Sequence, residues 1–100
     1  MKAEGTVKIV RYLIRISGLV QGVGFRYHIL KLAEQHRVSG HVANGDKELF
    51  IEVEGIESAI DMFLRSIRLD VPAGAKIRAI GVETIALKGD RGFRIKNDVD

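Results

Sequence analysis

The sequence predicts an α+β fold of order β-α-β-β-α-β, with an antiparallel sheet and two helices on one of its faces. Three observations carry that expectation. Apolar and polar residues alternate in Ile9–Ser17 and in Glu48–Glu54, the period of a half-buried strand. Apolar residues recur every three or four positions in Phe25–His36 and again from Ile56 to Leu69, the period of an amphipathic helix. Glycine, proline and asparagine gather between these segments, where the chain must reverse.

Each element follows from its own residues. In Ile9–Ser17, Tyr12, Ile14 and Ile16 share one face, and Leu13, Arg15 and Ser17 the other. Gly18–Gly24 is a glycine-punctuated loop. In the helix Phe25–His36, Phe25, Ile29, Leu32 and Ala33 form the apolar stripe. Arg37–Ser39 leads out of it. His41–Asn44 and Glu48–Glu54 read as a hairpin joined through Gly45-Asp46-Lys47. In its second arm Leu49, Ile51 and Val53 face one way, and Phe50, Glu52 and Glu54 the other. Ile56, Ile60, Phe63, Leu64 and Ile67 mark the second helix. Pro72 turns the chain within Val71–Gly74, because the residue before a proline is steered away from helix.

Lys76–Ala86 is the fourth strand. Its apolar parity shifts between Ile77 and Ile80, which predicts a bulge near Arg78–Ala79. Gly89–Gly92 reads as a turn and Phe93–Lys96 as a short extra edge strand. Met1–Val7 is a polar arm, and Asn97–Asp100 is expected to fray. The order is that of the ferredoxin-like split βαβ. No linker or repeat interrupts it, so residues 1–100 are expected to form a single domain.

Composition narrows the function. A chain of 100 residues with 46% hydrophobic and 29% charged residues can build one core, and its regular apolar spacing argues against disorder. The absence of cysteine excludes disulfides, thiolate metal sites and a cysteine nucleophile. The most apolar N-terminal stretch is cut by Lys8, Arg11 and Arg15, so neither a membrane span nor a signal peptide is expected, and cytoplasm is the default reading. The net charge of +3 favours anionic ligands, and equally suits a merely soluble surface.

The most informative segment is Gly18-Leu19-Val20-Gln21-Gly22-Val23-Gly24-Phe25-Arg26, joining a strand end to a helix start. Its glycines allow positive φ and leave the main chain open, so successive N–H groups can form an anion nest. The helix N-terminus adds unpaired N–H groups and partial positive charge. Arg26, a cation in that first turn, suits two parallel bonds to phosphate oxygens. The residues alone also allow a tight connection whose glycines serve geometry only. The segment lacks the Gly-Lys-Ser/Thr ending of a Walker loop, and the following hairpin argues against a dinucleotide fold.

This segment resembles the signature loop of acylphosphatases. Gly40-His41-Val42-Ala43-Asn44 resembles the family's second motif, with Asn44 lying 18 residues beyond Arg26. The resemblance runs from about Tyr12 to Ile95 and includes Glu54-Gly55, Pro72-Ala73-Gly74-Ala75 and Gly92-Phe93-Arg94-Ile95. One departure is the turn after Asn44, about one residue shorter than is usual in the family. The resemblance implies hydrolysis of acyl phosphates to carboxylate and inorganic phosphate, without cofactor or metal. It implies Gln21, Gly22, Val23, Gly24, Phe25 and Arg26 as the phosphate cradle, with Arg26 and Asn44 as catalytic residues. Asn44 would aim the attacking water. The implied partner is a small-molecule acyl phosphate, with no nucleic acid or membrane, and the chain would be a monomer. The carboxylate leaving group is a weak base, so positioning and charge stabilisation can suffice without an acid–base pair.

Three other readings are weighed against this one. An RNA-recognition motif shares the element order, but its third-strand aromatic platform would here carry Glu52 and Glu54 beside Phe50, repelling phosphates. A phosphate-binding module without turnover would need the same loop. The loop also resembles the N-terminal domain of large hydrogenase-maturation carbamoyltransferases, in which the arginine is followed by proline rather than Tyr27. His28, His36 and His41 read as scattered surface histidines, Tyr27 as partly packed surface, and Gln21 as a donor of its backbone rather than its side chain.

Overall fold

The first strand β1 (Ile9–Leu19) is followed by α1 (Phe25–His36), β2 (Ser39–Asn44), β3 (Glu48–Ile56), α2 (Glu57–Leu69), β4 (Lys76–Ile85) and β5 (Phe93–Ile95). This is a computed structural model, and it describes residues 7–96. Most of the N-terminal arm and the expected fraying of Asn97–Asp100 therefore lie outside the described residues. The strands form one sheet in the order β4-β1-β3-β2-β5. The first four pair antiparallel, as the ferredoxin-like arrangement requires. β5 pairs parallel to β2, from Gly40↔Phe93 to Val42↔Ile95. The sheet is thus mixed rather than wholly antiparallel, because the chain enters that edge where β2 begins, with the Gly40 N–H donating to the Gly92 carbonyl at 2.9 Å.

Strand alternation decides which side is core. Val10, Ile14 and Ile16 of β1 and Leu49, Ile51 and Val53 of β3 point to the helices and are buried. They meet Phe25, Ile29, Leu32 and Ala33 of α1 and Ile60, Phe63, Leu64 and Ile67 of α2 in one cluster. Ile56 lies outside this stripe: it caps α2 in an extended conformation and is exposed. The expected bulge is present. Ser17 pairs with Ala79 and Gly18 with Ile77, leaving Arg78 as the extra residue of β4.

The expected turn at Gly89–Gly92 is instead part of a strap. Seven residues separate Ile85 from Phe93. They must bridge four strand spacings, about 19 Å in all at ~4.8 Å each. Seven extended residues reach about 25 Å at ~3.5 Å each, so the span is within reach of a largely extended strap. The strap crosses the sheet face that the helices leave open, where Lys88, Gly89 and Asp90 bond side chains of β1 and β3.

Candidate active site

The loop between β1 and α1 adopts the backbone its glycines permit. Gly22 and Gly24 have φ of 75° and 74°, the left-handed region that side-chain-bearing residues seldom enter. Gly24 is the N-cap of α1; no side chain caps that helix, and its first turn carries no acidic residue. The first turn of α1 thus offers N–H groups and partial positive charge, with no side-chain cap among the described residues.

The loop and the end of β2 enclose a cavity of about 130 Å³. Its walls are Val20, Gly22, Gly24, Phe25, Arg26, Tyr27 and Asn44. With ~30 Å³ as one water's share of the liquid, the space suits a tetrahedral oxyanion with a water beside it. Arg26 is half-buried. Asn44 shares the helix-facing side of β2 with Val42, and its Oδ1 is buried with no hydrogen-bond partner among the described residues. An unpaired buried acceptor costs about 1–3 kcal/mol, so such an atom at a cavity wall marks a place where something binds.

Of the residues expected from sequence, Gly22, Gly24, Phe25, Arg26 and Asn44 meet at this cavity, and Gln21 and Val23 do not line it. Val23 packs against the core. The Gln21 amide turns to the hairpin, where Nε2 donates to the carbonyls of Gly45 at 2.9 Å and Glu48 at 3.2 Å. The same turn is closed by the Gly45 N–H, which donates to the Glu48 carbonyl at 2.7 Å. Val20, fully buried, and Tyr27, largely exposed, complete the walls. Tyr27 stands one residue beyond Arg26 in the first turn of α1, and that position was the sequence signal for it.

The histidines are less free than their scatter in the sequence suggests. His28 Nε2 bonds the Asp70 carbonyl, and its ring meets Phe25 edge-on with centroids 6.0 Å apart. His36 Nε2 lies 3.0 Å from Ser66 Oγ, tying α1 to α2. His41 faces the opposite side of the sheet from Asn44, with Nε2 4.0 Å from Glu52.

A second polar cluster, unforeseen from sequence, lies on that open face. Arg11 is completely buried there. Its guanidinium donates to Glu52 at 2.8 and 3.0 Å, to Glu54 at 3.0 Å and to Asp90 at 2.9 Å. The strap's Lys88 and Gly89 N–H groups donate to the Glu54 carboxylate at 2.8 and 2.9 Å. Glu54 is buried, so it and Glu52 are neutralised constituents of an ionic cluster rather than free repulsive charges.

The ionisation of these groups follows from their partners. Backbone N–H bonds from the strap, with Arg11, hold Glu54 below the usual carboxylate range. Asp90 is lowered chiefly by its bond to Arg11. Burial alone would raise Glu52, but bonds from Arg11 and Lys88 outweigh it and lower it. Burial pushes His41 down, and Lys96, Arg11 and Arg94 reinforce this against the attraction of Glu52.

Known proteins resemble this chain over almost its whole length. The family model described as Acylphosphatase matches residues 12–95. An acylphosphatase of Thermotoga maritima is 40% identical over 84 residues, spanning 83% of this chain and 92% of that protein. The crystal structure of acylphosphatase from Bacillus subtilis superposes with a TM-score of 0.83 at 32% identity, covering 89% of this chain and 99% of that one. Full-length HypF in its phosphate- and nucleotide-bound form superposes with a TM-score of 0.89 at 34% identity, but this chain corresponds to only 13% of it. Sequence motifs, fold and near full-length relatives agree, and the chain belongs to the acylphosphatase family of hydrolases.

Proposed function

We propose that this chain hydrolyses acyl phosphates by direct attack of a water held on Asn44, with the phosphate held by the Gly22–Arg26 main chain and the Arg26 guanidinium. The observation that carries this reading is the unpartnered Asn44 Oδ1 at the wall of the cavity that the glycine loop also lines. An amide oxygen there accepts one O–H of the water and turns the oxygen lone pair toward phosphorus. The new P–O bond forms as the bridging oxygen leaves with its electron pair as carboxylate. The water's proton passes to a phosphate oxygen, giving carboxylate and dihydrogen phosphate. Charge on the equatorial oxygens is met by the helix N-terminus and Arg26. No protein base is required, because the leaving group is a weak base.

Hydrolysis of benzoyl phosphate in EDTA, by the intact chain and by Arg26→Ala and Asn44→Ala, tests this. Loss of a preorganised charge-stabilising donor costs about 10²–10³ in rate, and Arg26→Ala is expected to lose at least that and to weaken inhibition by inorganic phosphate. Asn44→Ala is expected to lower turnover with phosphate inhibition nearly intact. An Asn44→Ala variant with normal kcat but no phosphate inhibition would remove the water-positioning role. A folded chain that binds phosphate without turnover would be a binding module.

A further inference from the structure

Tyr27 belongs to two concavities. It walls the phosphate-sized cavity, and it also borders an open groove of about 350 Å³ formed with His28, Leu30, Lys31 and Glu34. The helical spacing explains the groove: Leu30, Lys31 and Glu34 stand three, four and seven residues beyond Tyr27, on one stripe of α1. Its floor is firm. Leu30 is half-buried, and His28 is fixed by the Asp70 carbonyl and by its edge-on contact with Phe25. Its outer wall, the Tyr27 ring, is 69% exposed and has no hydrogen-bond or ionic partner among the described residues.

We propose that this groove is the subsite for the acyl half of the substrate, and that Tyr27 is the specificity-determining residue, favouring aromatic and other flat apolar acyl groups. The inference rests on the acyl phosphate reading above and deepens it. In-line displacement puts the attacking water and the leaving carboxylate on opposite sides of phosphorus. With the water on the sheet-borne Asn44, the leaving group is directed away from the strand end, and the helix-borne Tyr27 is the wall residue that the cavity shares with the groove. The groove's charges select little, since Lys31 and Glu34 oppose each other. Its apolar surface is the face of Tyr27 and the side of Leu30. A flat acyl group laid on that ring gains stacking and loses apolar surface to water, whereas an acetyl group is too small to reach it.

The test is the ratio of kcat/KM for benzoyl phosphate to that for acetyl phosphate, in the intact chain and in Tyr27→Ala and Tyr27→Phe. One methylene in a closed pocket is worth about 10–200-fold. An open groove is expected to give less, so the ratio should fall about fivefold in Tyr27→Ala and stay near its original value in Tyr27→Phe. The fall should sit mainly in KM for benzoyl phosphate. An unchanged ratio in Tyr27→Ala overturns the subsite. So does an equal loss on both substrates with weakened inorganic phosphate inhibition, which would make Tyr27 a support of the phosphate loop. An intact chain that hydrolyses neither compound defeats the parent reading, and the subsite with it.

Discussion

The Gln21 side-chain amide donates to the Gly45 carbonyl at 2.9 Å, joining the loop that forms the anion cavity to the turn that follows Asn44. With its second bond to Glu48, this side chain braces the loop against the turn that follows Asn44, adding to the ladder that already holds Asn44 opposite Leu49. The two halves of the site come from different segments, with Asn44 lying 18 residues beyond Arg26. Gln21→Ala is therefore expected to lower kcat about 10–100-fold, the range that a displacement near 1 Å can produce. Inhibition by inorganic phosphate should change little, and stability should fall by only about 1 kcal/mol, since the bonds are exposed. A kinetic series with phosphate as competitive inhibitor separates these effects.

Gly24 supplies the left-handed turn from which α1 begins, and a Cβ there would meet nothing within 4 Å. Gly24→Ala therefore tests backbone conformation without steric clash. Holding an alanine in that region costs about 1–2 kcal/mol. The helix N-terminus should relax away from the cavity to relieve it. The expected result is a modestly lower melting temperature together with weaker phosphate inhibition. A variant that loses stability but keeps phosphate affinity would separate this turn from the cradle.

Arg11 holds the strap to the sheet. Arg11→Met keeps the volume but strips three carboxylates of their cation. Removing one partner of a buried ionic cluster costs about 3–5 kcal/mol, and the lower end is expected because Glu52 and Asp90 are partly exposed. Urea unfolding measures it directly. Hydrogen exchange at the Lys88 and Gly89 amides should quicken in the same variant, since their acceptor Glu54 is then free to move.

Acid should weaken the fold in two windows. His41 is held below its ordinary value, so the unfolded chain takes up a proton first as pH falls from about 6.5, and the stability tied to neutral His41 is lost from there downward. Glu52, Glu54 and Asp90 are also lowered. Their contribution is complete above about pH 4.3 and drains away as pH drops through their folded values. The urea midpoint should be flat above about pH 7 and fall in two steps below it. His41→Asn should abolish the upper step alone.

Local pattern made much of this molecule legible. The stripe Phe25, Ile29, Leu32 and Ala33 is the buried face of α1, and the parity shift near Ile80 located the Arg78 bulge. These are short-range consequences of helix and strand periods. The glycine loop and Asn44 were legible through motif resemblance, and the cavity that joins them is a fact of the fold. Arg11 was not legible. Alternation puts it on the face away from the helices, where an arginine ordinarily meets water. What covers it is Asp90, 79 residues later, and no local pattern announces a segment that returns from so far. The parallel pairing of β5 escaped for the same reason, as three residues carry too little period to declare a partner.

Sheets end in strands with unpaired backbone groups, and those ends invite other chains to add on. Here the strap delivers β5 onto β2, so that end finishes in a strand of three residues, too short to template a neighbour. The other end is the ten-residue β4, which carries the charged and exposed Lys76, Arg78 and Glu83, with its bulge at Arg78. A bulge adds twist, and a twisted, charged edge is a poor mould for a flat incoming strand. The irregularity beside the glycine loop thus also protects the chain against aggregation. Smoothing β4, by deleting Arg78, would expose the longest unguarded edge of the sheet to a second copy.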